Sequence, residues 1–166
     1  MDISFRRATA ADLPAIVAIY NQVIDLHTVT ADLAPVTVAD RRDWFAAFDD
    51  HHPLWVATNS AGQVVGWVGL EPFYGRAAYQ ATAEIAIYFD RACHHQGLGT
   101  RALEWVEGRL TACQLTAVVA YIFGDNRPSL GLFKKFGYRE WGRLLRVATL
   151  AGRDQDLVIM GKRYDQ

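Results

Sequence analysis

The apolar positions of this chain switch repeatedly between a period of two and a period near 3.6, and each switch marks a new element. Residues 3–7 form a short strand-like run. Thr9-Ala10-Ala11-Asp12 then has capping-box form, and Leu13, Ile16, Val17, Tyr20, Val23 and Ile24 follow at helical spacing. Thr37-Val38-Ala39-Asp40 repeats that start signal before a second helix, whose apolar face carries Trp44, Phe45 and Phe48; the intervening residues 28–35 read as a loop. Residues 54–58 and 63–73 are strands around the Ser60-Ala61-Gly62 turn, and 81–89 is a further strand. The pattern returns to helix over 98–110, to a β-branched strand over 116–123, and to a short helix over 129–136 that ends at Gly137, a suitable C-terminal glycine. Two strands, 139–150 and 155–162, close the chain around Gly152-Arg153-Asp154. The order β-α-α-β-β-β-α-β-α-β-β predicts an α/β (α+β) fold. With no repeat, linker or low-complexity stretch, residues 1–166 read as one domain.

Composition removes several function classes. A chain of 166 residues, 51% hydrophobic, is long enough to bury a proper core. Its formal net charge of −1 gives no electrostatic case for nucleic acid or an anionic membrane surface. The start, Met1-Asp2-Ile3-Ser4-Phe5-Arg6-Arg7, lacks the order of a signal peptide, and no apolar run is long enough to span a bilayer. Cys93 and Cys113 have neither metal-like nor disulfide-framework spacing, so the expectation is two free thiols, the cytoplasm, and no metal.

Candidate chemistry concentrates in Cys93-His94-His95-Gln96-Gly97-Leu98-Gly99-Thr100-Arg101-Ala102-Leu103, between the strand at 81–89 and the next helix. Glycines there let backbone N–H groups converge, and the helix dipole adds partial positive charge, which suits a phosphate or pyrophosphate. The segment is neither a Walker loop nor a G-x-G-x-x-G fingerprint. A tight turn at a helix start is the bland alternative. Glu84 is a second candidate, a carboxylate in a strand that otherwise shows Ile85, Ile87 and Phe89; alternation alone equally permits an outward-facing acid.

The glycine turn resembles the (Q/R)-x-x-G-x-(G/A) signature of the GCN5-related N-acetyltransferases. The segment from Asn126 to Tyr138 resembles that superfamily's second signature, N-x-x-S-x-x-(L/M)-(Y/H/F)-x-x-x-G-(F/Y). Over nearly its whole length the chain is similar to the phosphinothricin and methionine-sulfoximine acetyltransferase branch. The stretches that carry this likeness are Leu13–Asn21, Trp44-Phe45, Ala78-Tyr79-Gln80-Ala81-Thr82-Ala83-Glu84 and Val119-Ala120.

The resemblance implies a mixed central sheet of about seven strands with flanking helices, and acetyl-CoA as acetyl donor. It implies a cofactor set of Ile87, Tyr88 and Phe89 through the main chain, His95, Gln96, Gly97, Leu98, Gly99 and Thr100 around the pyrophosphate, with Asn126 and Ser129. It assigns Glu84 to accepting the amine proton, and Tyr74, Gly75 and Arg76, with Glu84, Ile85 and Ala86, to the acceptor. Arg76 would fork onto a substrate carboxylate, against the alternative of a solvated loop arginine. His94 and His95 read more simply as solvated loop residues, and Trp55, Trp67, Tyr79 and Tyr88 as core and wall.

Departures matter as well. Phe133 stands where the superfamily often has a proton-donating Tyr and the branch His, and Ala31 and Ala34 suggest a wider, less polar acceptor pocket. The expected protein is therefore a homodimeric acetyltransferase for a small amino-acid-like amine. A second reading makes the acceptor a protein N-terminus, a polyamine or an aminoglycoside. A third makes the chain a catalytically weak acyl-CoA-binding module.

Overall fold

The chain alternates strands and helices as β1 (Ile3–Arg7), α1 (Leu13–Asn21), α2 (Arg42–Ala46), β2 (Leu54–Asn59), β3 (Val64–Pro72), β4 (Thr82–Phe89), α3 (Leu98–Glu107), β5 (Ala117–Phe123), α4 (Arg127–Lys135), β6 (Arg139–Leu150) and β7 (Arg153–Arg163). This is a computed structural model that describes residues 1–165. The seven strands make one sheet in the order β1-β2-β3-β4-β5-β7-β6. Neighbours run antiparallel except β4 and β5, so the sheet is mixed.

Helices cover both faces. On one, Val68, Leu70, Ile85, Val118 and Ile122 pack with Leu103 and Val106 of α3 and Phe133 of α4. On the other, Leu54, Val56 and Trp67 pack with Ile16, Ile19 and Tyr20 of α1 and, at the edge, Trp44 and Phe48. Side chains alternate across each strand, so β4 sends Ala83 and Ile85 into the first layer while Ala86 and Tyr88 pack on the second.

The start signals act locally as their residue types dictate. The Thr9 N–H donates to Asp12 Oδ2 at 2.8 Å, and Arg6 forks onto the same carboxylate at 2.7 and 2.9 Å. These bonds hold Asp12 below the usual carboxylate range, with Arg6 the larger cause. Thr37 and Asp40 bond reciprocally, Thr37 N–H to Asp40 Oδ2 at 2.8 Å and Asp40 N–H to Thr37 Oγ1 at 3.1 Å.

Several boundaries differ from the expected ones, three of them at helix ends by two or three residues. The first helix stops at Asn21, and Ile24 belongs to a separate turn that ends at left-handed His27. The helix expected to reach residue 110 ends at Glu107. The last helix starts at Arg127 rather than Ser129, because Asn126 caps it by accepting from the Ser129 N–H at 3.3 Å and Pro128 fits the first turn. No helix is long and apolar enough to cross a membrane among the described residues.

Candidate active site

β4 and β5 run side by side only from Thr82↔Ala117 to Glu84↔Val119, then part. Beyond that point β4 keeps its other neighbour, β3, and β5 keeps β7. The alternate N–H and C=O groups of 85–89 that point toward β5 therefore meet no strand. They face a cavity of about 390 Å³ lined by both diverging strands, the glycine turn and α4. An extended ligand arm with amide groups can satisfy such an edge as an added strand would.

The cavity's far end is the turn before α3. His95 (φ 62°) and Gly97 (φ 71°) are both left-handed, which curls the chain so that α3 opens toward the cavity. Arg101 N–H to Gly97 C=O, 3.2 Å, is the first bond of the helix. The N–H groups of Leu98, Gly99 and Thr100 thus have no carbonyl a turn earlier, and the dipole places positive charge among them. This donor set fits a pyrophosphate, and the open β4 edge fits the amide-bearing arm of a coenzyme A.

The two glycines have different tasks. Gly97 supplies the left-handed angle, with open space around its α-carbon. A Cβ on Gly99 would stand 2.8 Å from Leu132 Cδ2, so Gly99 lets α3 approach α4. Gly99 therefore has a packing task in addition to its place in the cavity wall. His94 is also more than a solvated loop residue. Its ring Nε2–H donates to the Phe89 carbonyl at 3.0 Å, which ties the turn to the end of β4.

Glu84 sits at the apex where the strands part, half-buried, on the face opposite Ile85. It is not the outward-facing acid that alternation also allowed. Burial, and next Glu71 directly opposite on β3, push its carboxyl up to about 7. A carboxyl at that value is half-ionised near neutrality and able to exchange a proton with an amine. Beside it, Tyr88 stacks on Trp67 with ring centroids 4.7 Å apart, and Tyr20 meets Tyr88 edge-on at 5.1 Å.

Most of the expected residues converge on this cavity: Glu84, Ile85, Ala86, Ile87, Tyr88, Phe89, His95, Gly97, Leu98, Gly99, Thr100, Asn126 and Ser129 all line it. Gln96 lies in the turn but outside the wall. Tyr74, Gly75 and Arg76 also lie outside it, in an exposed loop. Tyr74, left-handed and 74% exposed, joins Phe73 and Tyr79 in a small aromatic cluster, so Tyr79 is neither core nor wall.

The sequence reading missed Val29, from the loop between α1 and α2, and Tyr121 of β5. Tyr121 carries a hydroxyl into the wall that also holds Phe133, which has none; burial and the adjacent Tyr74 hydroxyl keep its phenol protonated well above neutrality. The available signal was the one polar-tipped side chain in an otherwise apolar strand. Cys93 and Cys113 are buried free thiols, and among the described residues no three His, Cys, Asp or Glu side chains gather as metal ligands.

A parallel strand pair that parts around a half-buried glutamate, next to a helix start whose first N–H groups border the cavity, is the arrangement of an N-acetyltransferase. The chain belongs to the Acetyltransferase (GNAT) family, whose sequence profile matches residues 17–138. It is 42% identical over 160 residues to YwnH of Bacillus subtilis (strain 168), which carries a provisional name as a phosphinothricin acetyltransferase; the match covers 96% of this chain and 98% of YwnH. It is 32% identical over 166 residues to the L-methionine sulfoximine/L-methionine sulfone acetyltransferase of Pseudomonas paraeruginosa, covering 99% of this chain and 96% of that one. The crystal structure of a Sinorhizobium meliloti phosphinothricin acetyltransferase in complex with AcCoA superposes with a TM-score of 0.91 at 27% identity, over 98% of this chain and 89% of that chain.

Proposed function

We propose that this chain, as one domain, moves an acetyl group from acetyl-CoA to the amine of a small amino-acid-like compound of the phosphinothricin or methionine sulfoximine type. The observation that carries the reading is Glu84, poised at the apex of the open strand pair beside the phosphate-holding turn. The names of the Bacillus and Pseudomonas relatives support the amino-acid-like acceptor. Bound acetyl-CoA supplies an activated thioester carbonyl and a thiol leaving group.

The chain's own residues do the rest. N–H groups of Gly97 to Thr100 and the turn at His95 hold the pyrophosphate, with Asn126 and Ser129 at the start of α4 closing that end. The open edge of Ile87, Tyr88 and Phe89 aligns the arm and directs a backbone N–H at the carbonyl oxygen. Glu84 accepts the amine proton, directly or through water, while Ile85 and Ala86 shape the floor under the acceptor. Measuring thiol release with phosphinothricin, methionine sulfoximine, methionine sulfone, peptides, polyamines and aminoglycosides tests the assignment. The amino-acid-like compounds should turn over; a peptide or polyamine preference, or no turnover at all, would overturn it.

Arg76 is the proposed reader of the substrate carboxylate, next to Tyr74 and Gly75. It makes no side-chain ion pair among the described residues and is exposed, so solvent screens it. Arg76→Ala is therefore expected to lower kcat/KM about tenfold, the lower end for a charge-assisted hydrogen bond. The loss should vanish for the matched amide; an equal loss for both would remove Arg76 from recognition.

The homodimer and the cytoplasm complete the reading. Edge strand β6 has no strand neighbour on its outer side among the described residues and exposes Trp141, Leu144, Leu145 and Val147. Arg143 and Arg146 on the same strand are neutralised by Glu140, Asp154 and Asp156. An unpaired apolar edge of this kind favours pairing with another chain. Light scattering should give twice the 18.6 kDa chain mass, and Leu145→Arg should halve it. A monomeric wild type would refute the dimer.

A further inference from the structure

Glu71 and Glu84 are direct cross-strand partners in the antiparallel β3–β4 ladder, so both carboxylates leave the same face of the sheet. Such partners have Cβ atoms about 4.5–5.5 Å apart, and like charges so placed resist ionising together. Their surroundings differ. The Trp44 indole N–H donates to Glu71 Oε1 at 2.7 Å, and the Arg41 guanidinium, 5.5 Å from the Trp44 ring centre, adds positive charge nearby. Burial is the larger influence and raises the Glu71 carboxyl, while the Trp44 bond and Arg41 both work against that rise. Glu84 has no side-chain hydrogen bond among the described residues, and its neighbours raise its carboxyl rather than lower it.

Around the pair stand Tyr20 from α1, Arg41 and Trp44 from α2 and the turn before it, Tyr88 from β4, Tyr121 from β5, and Tyr74 from the loop after β3. Asp32, an acid from the loop before α2, is bonded by Arg41 at 2.9 Å and by the Tyr20 hydroxyl. Among these groups Glu71 is the acid that acts on Glu84 most strongly, and Arg41 is the cation.

We propose that Glu71 is a positioning residue: placed directly across the ladder from Glu84 and bonded by Trp44 near Arg41, it sets the pH at which Glu84 becomes a base. This rests on the reading of Glu84 as the proton acceptor. Glu71 itself lies outside the cavity wall and acts on Glu84 through its field rather than on the substrate. It supplies no proton to the reaction; its charge raises the proton affinity of Glu84, which improves the match between base and amine.

The test is the pH profile of kcat/KM at saturating acetyl-CoA, read together with a ¹³C NMR titration of labelled glutamate carboxyls, Glu84 being assigned by its disappearance in Glu84→Gln. In Glu71→Gln the acid limb of the profile and the Glu84 titration should both move to lower pH, by on the order of one unit. In Glu71→Asp, which keeps the charge, both should stay near the wild-type position. A folded Glu71→Gln whose limb and Glu84 titration match wild type would overturn the proposal. A Glu84 titration that moves beneath an unmoved limb would instead defeat the base assignment, and the catalytic part of the proposal with it. If Glu71→Gln does not fold, the wild-type titration decides: Glu71 must ionise at lower pH than Glu84, and the reverse order overturns the proposal.

Discussion

Glu84→Gln lowers kcat/KM for the acceptor amine by about 10²–10⁴-fold, the usual contribution of a positioned base, while acetyl-CoA still binds. The pH dependence carries the sharper signature. Glu84 is pushed up to about 7, so it loses its own basicity below that value. Amines of the expected kind have pKa values of about 8 to 10 and need no base above them. The deficit of the variant is therefore greatest between about pH 7 and the pKa of the amine, and narrows on either side. Stability should move the other way. The folded carboxyl holds its proton up to about 7, whereas an unfolded glutamate releases it near 4.3. Between those values the folded state binds more protons, so stability falls as pH rises through the window and stays lowered above it. Glu84→Gln should thus melt above wild type at pH 8 and close to it at pH 4, a stability gained where activity is lost. A variant with wild-type rates across the range would remove Glu84 from the chemistry; equal melting curves at pH 8 would show that its burial costs nothing.

Gly97→Val should weaken acetyl-CoA binding on the order of a hundredfold. Gly97 has φ 71° at the start of α3, a conformation that a β-branched residue adopts at a cost of about 1–3 kcal/mol. No atom stands within 4 Å of the place its Cβ would take, so the fold has no clash to relieve. The chain instead relaxes toward negative φ, which turns the N–H groups of Leu98 to Thr100 away from a common point. Losing one or two charge-assisted bonds of about 1.5–3 kcal/mol each accounts for the expected factor. Calorimetry with acetyl-CoA measures it directly. Gly99→Val is the informative contrast: its Cβ meets Leu132, so the melting temperature should fall as well. If Gly97→Val bound acetyl-CoA as wild type does, the turn would not be the pyrophosphate site.

Features that depend on a few neighbouring residues were readable from their order. The reciprocal Thr37–Asp40 bonds, the Gly137 cap at φ 83°, and the Asn59 turn around Gly62 all follow from short-range hydrogen bonding and backbone freedom. The two motif segments likewise marked the walls of one cavity, because each lies where a strand hands over to a helix. Alternation within β4 left open which way Glu84 faces, since a period of two names two faces without saying which is covered.

That choice belongs to the tertiary structure. Glu84 takes the opposite face, in the cavity wall, because Ile85 is claimed by the core under α3 and α4. The cavity exists because β4 and β5, some 35 residues apart, stop pairing after Glu84↔Val119. Glu71 is opposed to Glu84 by the register of a long hairpin, and Tyr121 lines the cavity because β5 has parted from β4 two residues before it, which no local pattern encodes. The family, the order of elements and the glycine turn before α3 are written in contiguous residues, because caps, turns and periodicity are short-range. The ionisation of Glu84 and the shape of the cavity are set by charges and burial that meet only once distant strands have docked.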